Sequence, residues 1–148
     1  IGLLLNDPKL IVKYNFLYKD CYFENPEILN LYNSVGWISY TKSPEMLENA
    51  YTHSLKVYGA YENDKLLGII RVVGDGFSVI FIQDILIKPE YQHKGIGTAL
   101  LQRILDDYKD VYQKHLITDN TEKTIQFYKS LGFTMDTEME CRAFSKYY

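Results

Sequence analysis

The sequence predicts a mixed α/β domain, and three observations carry that expectation. Residues 55 to 87 read as three strands joined by short connections, Glu62-Asn63-Asp64-Lys65 and Gly74-Asp75-Gly76. Directly afterwards Ile96, Leu100, Ile104 and Tyr108, flanked by Leu101 and Leu105, recur at helical spacing. Between that helix and the preceding strand stands a glycine-containing turn, Gln92-His93-Lys94-Gly95-Ile96-Gly97. A chain of 148 residues suits one domain, 1–148, with a sizeable core.

Composition narrows the function classes. Hydrophobic residues make up 47% and charged residues 24%, the balance of a folded globular chain. A formal charge of -3 lacks the broad positive field of a nucleic-acid binder. A mildly acidic surface suits small amines or basic peptides, and many neutral partners equally well. Cys21 and Cys141 are far apart and lack metal-site spacing, so a reducing, cytoplasmic setting is expected rather than a secreted disulfide scaffold. No apolar run approaches transmembrane length, and Ile1 to Leu5 is too short for a signal peptide before Asn6-Asp7-Pro8. His53, His93 and His115 have no cluster spacing, and no catalytic metal is expected.

The other elements follow in order. Residues 9–19 resemble a first strand, with Leu10, Val12, Tyr14 and Phe16 in alternation. Pro26 precedes a short helix through Leu29, Leu31, Tyr32 and Val35 that stops near Gly36. Ser43 is placed as an N-cap with Pro44 at the first helical position, and Met46, Leu47, Ala50 and Tyr51 supply a helical face. The stretch Phe77 to Ile87 is apolar on both faces for much of its length, as in a strand covered on both sides. Val111 to Thr118 reads as another strand. Asp119 and Glu122 have the spacing of a capping box for a helix carrying Ile125, Phe127, Tyr128 and Leu131. Gly132-Phe133 ends that helix in the form of a glycine cap, and the remaining residues are expected to return to the sheet.

The glycine turn carries the chemistry. Gly95 and Gly97 remove side chains where backbone amides at a helix start converge on an anion. A nucleoside-triphosphate loop requires Gly-Lys-Ser or Gly-Lys-Thr at its end, whereas Gly97-Thr98-Ala99 stands here. A dinucleotide fingerprint requires a third glycine where this chain has Leu100. Q-x-x-G-x-G remains, the pyrophosphate loop of an acyl-coenzyme A site. The run from Ile85 to Leu100, including Pro89-Glu90-Tyr91-Gln92-His93-Lys94-Gly95-Ile96-Gly97-Thr98, resembles the signature of the GCN5-related N-acetyltransferase (GNAT) superfamily. Phe127-Tyr128-Lys129-Ser130-Leu131-Gly132-Phe133 is similar to its second hallmark. Val35-Gly36-Trp37, the strand from Gly68 to Asp75, and Gln83-Asp84-Ile85-Leu86-Ile87 further resemble a small bacterial branch related to plastid serotonin acetyltransferases.

The resemblance implies a GNAT fold, a central splayed mixed sheet flanked by helices, with acetyl-CoA as cosubstrate in the opening. It implies that backbone groups of Ile85 and Ile87 bond the pantetheine arm, with the thioester near Leu86. Gln92, His93, Lys94, Gly95, Ile96, Gly97 and Thr98 would wrap the pyrophosphate. Asn120 is a candidate contact to the cofactor arm, one residue before the position where the family more often has asparagine, here Thr121.

Acetyl transfer from a thioester to an amine needs a neutral amine and benefits from a proton for the departing thiolate. Tyr128 matches the tyrosine that commonly serves the family as general acid, the alternative being an aromatic that packs its helix. Alternation places Asp84 on one face with Ile80, Ile82 and Leu86, an odd position for a carboxylate unless it reaches a cleft or a partner. It reads as the general base, directly or through water, as an anchor for the substrate ammonium, or as a structural partner of Arg71 or His53. Gln83 is expected to face the other way as a fold contact. Asp119 is explained by capping, with a proton-relay role as the alternative. Trp37, Tyr40 and Tyr32 form a candidate aromatic wall for the acceptor, against ordinary packing. The reading favoured is direct N-acetyl transfer in a ternary complex to a small primary amine. A peptide lysine or N-terminus as acceptor, and a non-catalytic acyl-CoA-binding module, are the alternatives. A homodimer through the C-terminal residues or exposed aromatics is a further expectation.

Overall fold

The computed structural model describes residues 16–23 and 26–148. Of the expected strand over 9–19, the positions of Leu10, Val12 and Tyr14 lie outside the described residues. By contacts the chain forms two compact units, Ile1–Leu116 and Ile117–Tyr148. No helix among the described residues is long and apolar enough to cross a membrane.

The first unit holds a five-stranded sheet in the order β1-β2-β3-β4-β5. Its strands are β1 (Leu17–Asp20), β2 (Lys56–Glu62), β3 (Lys65–Gly74), β4 (Val79–Ile87) and β5 (Gln113–Leu116). The first four pair antiparallel, and β5 joins β4 in parallel. Asn63 and Asp64 both take positive φ, 49° and 65°, the two-residue turn whose twist suits a hairpin. The next turn is closed by the Asp75 carboxylate, which accepts from the amides of Phe77 and Ser78 at 2.7 and 2.8 Å. Helices α1 (Glu27–Ser34), α2 (Ile38–Thr41) and α3 (Pro44–Thr52) lie between β1 and β2 in sequence, and α4 (Ile96–Asp107) between β4 and β5. Ser43 precedes Pro44 as expected, although its side chain makes no capping bond.

Each sheet face has its own helices. Val57, Ile69 and Leu86 join Ile28, Leu31 and Tyr32 of α1 and Leu47 and Tyr51 of α3 in one buried core. The other face receives α4, whose Ile96, Leu100, Leu101 and Ile104 are buried. Tyr58 donates its hydroxyl to Asp107 at the end of α4, and the Arg103 guanidinium sits 4.3 Å from the Tyr58 ring centre.

Strand β4 departs from simple alternation. Arg71 stands opposite Asp84 and Val72 opposite Ile82, so Gln83 is an extra residue without a partner of its own in β3. One inserted residue exchanges the faces on either side of it. Asp84 therefore shares a face with Leu86 but not with Ile80 and Ile82, which corrects the expected grouping. Both faces of the strand carry buried residues, as expected, though not along its whole length. Ile80, Ile82, Asp84 and Leu86 are buried, whereas Val79, Phe81, Ile85 and Ile87 are half-buried and Gln83 is exposed. The pairing with β5 stops at Ile82 opposite Leu116. From Gln83 to Ile87, β4 has β3 on one edge and no strand on the other among the described residues. This is the splayed mixed sheet, flanked by helices, that the resemblance implies.

The second unit contains α5 (Glu122–Ser130) and a short 3-10 turn, Asp136–Met139. Thr121, not Asp119, is the N-cap, and its hydroxyl oxygen accepts from the Thr124 amide at 3.3 Å. The expected capping box began two residues too early, because Thr121 itself takes the extended conformation that starts the helix. Gly132 and Phe133 donate to the carbonyls of Lys129 and Tyr128 at 3.0 and 3.1 Å, the expected glycine cap. Residues 140–148 do not return to a sheet. A strand exists only by pairing, and this segment has no paired neighbour among the described residues.

Gly74 is where the backbone tolerates least. Its φ is 131°, and an added Cβ would lie 2.5 Å from the Val79 carbonyl oxygen. Gly74→Ala is expected to destabilise the first unit by about 2 kcal/mol or more, measured as a lowered urea midpoint; an unchanged midpoint would reject this account of the turn.

Candidate functional site

The expectation that Asp84 needs a partner is met inside the first unit. Its side chain is fully buried, and Oδ2 accepts from Arg71 Nε at 2.7 Å. The Tyr32 hydroxyl donates to the same oxygen at 2.7 Å. Oδ1 is buried and has no hydrogen-bond partner among the described residues. Arg71 is likewise almost fully enclosed, and its NH1 reaches Ser54 Oγ at 3.3 Å. Burial alone would lower the guanidinium pKa, but the charge and hydrogen bond of Asp84 outweigh it and hold Arg71 above its usual value. His53, the other partner considered for Asp84, is exposed and bonded to the Asn49 carbonyl oxygen.

The aromatic wall is smaller than expected. Tyr32 is fully buried and its hydroxyl is committed, so it supports the wall from behind. Trp37 is 38% exposed and stacks on the half-buried Tyr40, with ring centres 5.9 Å apart and planes at 24°. Tyr40 lies 5.4 Å from the Tyr32 ring, and its hydroxyl is 3.5 Å from Gln83 Nε2. Gln83 thus points to the same aromatic group as Asp84, which corrects the expectation that it faces away. The bulge brings two neighbouring polar side chains to one side.

At the end of β4 the chain turns through Pro89–Tyr91 into the glycine loop. Gln92 Nε2 donates to the Ile87 carbonyl oxygen at 3.1 Å, so this side chain ties the loop to the strand. His93 and Gly95 take positive φ, 64° and 84°, and Gly95 caps α4 in the left-handed conformation without any side-chain capping bond. Ala99 makes the first helical bond, to the Gly95 carbonyl at 3.0 Å. The amides of Ile96, Gly97 and Thr98 precede it and have no acceptor within the helix. They supply the donors that an anion requires, aided by the positive helix end. At Gly97 an added Cβ would meet Ile87 and Ile85 only at 3.9 and 4.0 Å. The fold itself has room for that methyl group, so the space above Gly97 is a cradle that a side chain would fill. Lys94 lies over the Tyr91 ring at 5.3 Å, with His93 exposed beside it. These features fit a pyrophosphate.

In the second unit Tyr128 packs between Phe127 and Phe133, with ring centres 5.0 and 5.9 Å away. Burial raises its phenol pKa, a hydrogen bond with Thr118 lowers it, and the Asp119 charge raises it again, for a net upward shift. The phenol therefore remains a proton donor across the neutral range. Asn120 is exposed in the loop before α5.

Sequence reasoning did not single out Tyr51 or Ser54 as parts of the Asp84 network. Arg71, the lone cation in an otherwise apolar stretch of β3, was the available signal for that burial.

Comparison with known proteins agrees with this geometry. The family described as Acetyltransferase (GNAT) family matches residues 17–133. A GNAT family acetyltransferase from Streptococcus pneumoniae TIGR4 superposes with a TM-score of 0.78 at 39% identity, covering 90% of this chain and 96% of that one. An uncharacterized N-acetyltransferase ycf52 from Pyropia yezoensis is 26% identical over 82% of this chain and 74% of its own length. Histone acetyltransferase TAP1 from Glycine max is 31% identical over 73% of this chain, which spans about half, 51%, of that relative.

The cradle makes a prediction with two signs. Gly97→Ala is expected to leave stability unchanged or raised by up to about 1 kcal/mol, alanine being the better helix former. Coenzyme A affinity is expected to fall by about tenfold or more, since the methyl group would occupy the phosphate space. Calorimetric titration and thermal melting check the two effects separately, and undiminished affinity would refute the cradle.

Proposed function

The chain belongs to the GNAT acetyltransferase family and is an acetyl-CoA-dependent acetyltransferase, and from that premise we propose that its acceptor is a small primary amine with an aromatic or apolar body. The observation that supports this acceptor is the stacked, partly exposed Trp37–Tyr40 pair beside the Gln83–Asp84 bulge. Flat rings beside a carboxylate suit an amine whose body stacks while its nitrogen approaches Asp84. The stretches that resemble plastid serotonin acetyltransferases agree with an aryl amine without naming it.

In this reading Ile85, Leu86 and Ile87 present their backbone to the acyl-pantetheine arm, along the edge of β4 that β5 leaves open. Loop residues 92–98 hold the pyrophosphate, through free amides rather than through the Gln92 side chain. Asn120 contributes from the loop before α5. Bound acetyl-CoA supplies the activated acetyl group. Asp84 accepts the acceptor ammonium proton at Oδ1 through one water, because its side chain is fully enclosed. Tyr128 gives its phenolic proton to the departing thiolate and is restored by the second proton that the acceptor nitrogen loses as the amide forms. Positioning of both reactants supplies much of the remaining rate.

A protein acceptor is the second reading. It is favoured by the relative that bears the name histone acetyltransferase.

Tyr128→Phe is expected to lower kcat by about 100-fold while leaving coenzyme A affinity within twofold of wild type. An unchanged rate would remove Tyr128 from the proton path.

A panel of aryl amines, aliphatic polyamines and lysine peptides tests the acceptor. Aryl amines are expected to show the highest kcat/KM, and Trp37→Ala to raise their KM by up to about tenfold without altering kcat. A lysine peptide acetylated more efficiently than every small amine would overturn the small-molecule reading.

A further inference from the structure

We infer that Tyr51 and Arg71 are positioning residues that make Asp84 a one-sided base, Arg71 engaging Oδ2 directly and Tyr51 through Tyr32, so that Oδ1 alone is left to take the acceptor's proton. This rests on the reading of Asp84 as base, and the experiment separates the two. The two carboxylate oxygens have opposite environments. Oδ2 takes both the Arg71 and the Tyr32 bonds, whereas Oδ1 is enclosed without a donor among the described residues. A buried carboxylate oxygen left without a partner is unfavourable, and its persistence marks the place where a donor enters in the working complex.

The direction of the hydrogen bonds assigns Tyr51 its part. Tyr32 has one hydroxyl proton, and it goes to Asp84. The 3.1 Å contact between the Tyr32 and Tyr51 hydroxyls must then run from Tyr51 to the Tyr32 oxygen. Tyr51 donates to Tyr32, Tyr32 donates to Oδ2, and each bond polarises the next. Burial raises both phenols above the usual tyrosine range, so both remain donors wherever the enzyme works. Tyr51 also meets the second donor, since the Arg71 guanidinium lies 5.8 Å from its ring centre. Ser54, which takes Arg71 NH1, is itself tied to the Ala50 carbonyl oxygen at 2.6 Å. Tyr51 and Ser54 together line a cavity of about 420 Å³, so the rear of the network borders open space. The groups facing Asp84 are thus Arg71 from β3, Tyr32 from α1 and Tyr51 from α3, with uncharged Gln83 and Tyr40 beside them.

The test is the pH profile of kcat/KM with an aryl amine acceptor. Tyr51→Phe keeps the ring that packs on Phe23 and Tyr32 and removes only the hydroxyl. With the donor chain to Oδ2 weakened, the acidic limb of the profile is expected to move up by about half a pH unit. The loss is then larger at pH 6 than at pH 8. Arg71→Lys keeps the charge without the guanidinium fork, and is expected to move the limb by about one unit and to lower kcat about tenfold, with the KM for acetyl-CoA unchanged. Thermal melting and coenzyme A binding report folding for both variants. Profiles of Tyr51→Phe and Arg71→Lys that superimpose on wild type would overturn the positioning role while leaving Asp84 as base. An Asp84→Asn enzyme that keeps the wild-type limb would instead remove the base itself, and with it the inference.

Discussion

The ion pair between Arg71 and Asp84 joins two central strands at a buried point of the sheet. Neither charge is tolerable there alone, since an unpaired buried charge is strongly destabilising. The pair therefore acts on register as well as on chemistry. A slip of β3 against β4 by one residue would set Arg71 against Gln83 or Ile85, neither of which carries a charge, and strand both charges. Tyr32 adds a second donor to Oδ2 from α1, and Tyr51 backs it from α3. The helices on that face are thus placed by a polar requirement as well as by the apolar contacts around it.

Strand β4 changes character at Gln83. Before it, the strand is paired on both edges and contributes Ile80 and Ile82 to the side away from Asp84. After it, one edge is free of strand partners among the described residues, and Asp84 and Leu86 face the aromatic core. A single inserted residue thus coincides with the parting of β4 from β5 and with the turn of two polar side chains towards Tyr32 and Tyr40. The same strand delivers the chain into the glycine loop, where Gln92 ties back to Ile87 and the first amides of α4 stand without helical acceptors. In the proposed reading, donor-binding backbone and acceptor-facing side chains are in this way carried by one continuous segment, 83–98.

Much of the local structure was legible in the residues. Asn63-Asp64 announces a hairpin because both tolerate positive φ. The helix from Ile96 follows its apolar spacing, and Gly132 ends α5 as its position suggests. Asp84 stood out because a carboxylate in an apolar strand demands compensation. The Gln83 bulge was not legible, since nothing in Ile82-Gln83-Asp84 distinguishes an inserted residue from ordinary alternation. The same limit applied to Tyr32, a candidate for the acceptor wall against ordinary packing, whose hydroxyl is spent inside. Its helical spacing shows that it faces the sheet, but not that a carboxylate waits there.

By itself the sequence determined the order of the strands between residues 55 and 116 and of the longer helices, a glycine turn suited to an anion and, through two local motifs, the family and its acyl donor. Each of these depends on residues close together in the chain, where backbone geometry and side-chain spacing act directly. Tertiary structure alone decided which oxygen of Asp84 is free, which rings are exposed and where β4 parts from β5. Those outcomes arise where segments distant in sequence, α1, α3, β3 and β4, compete for the same few hydrogen-bond partners. That competition is resolved only when the chain is folded.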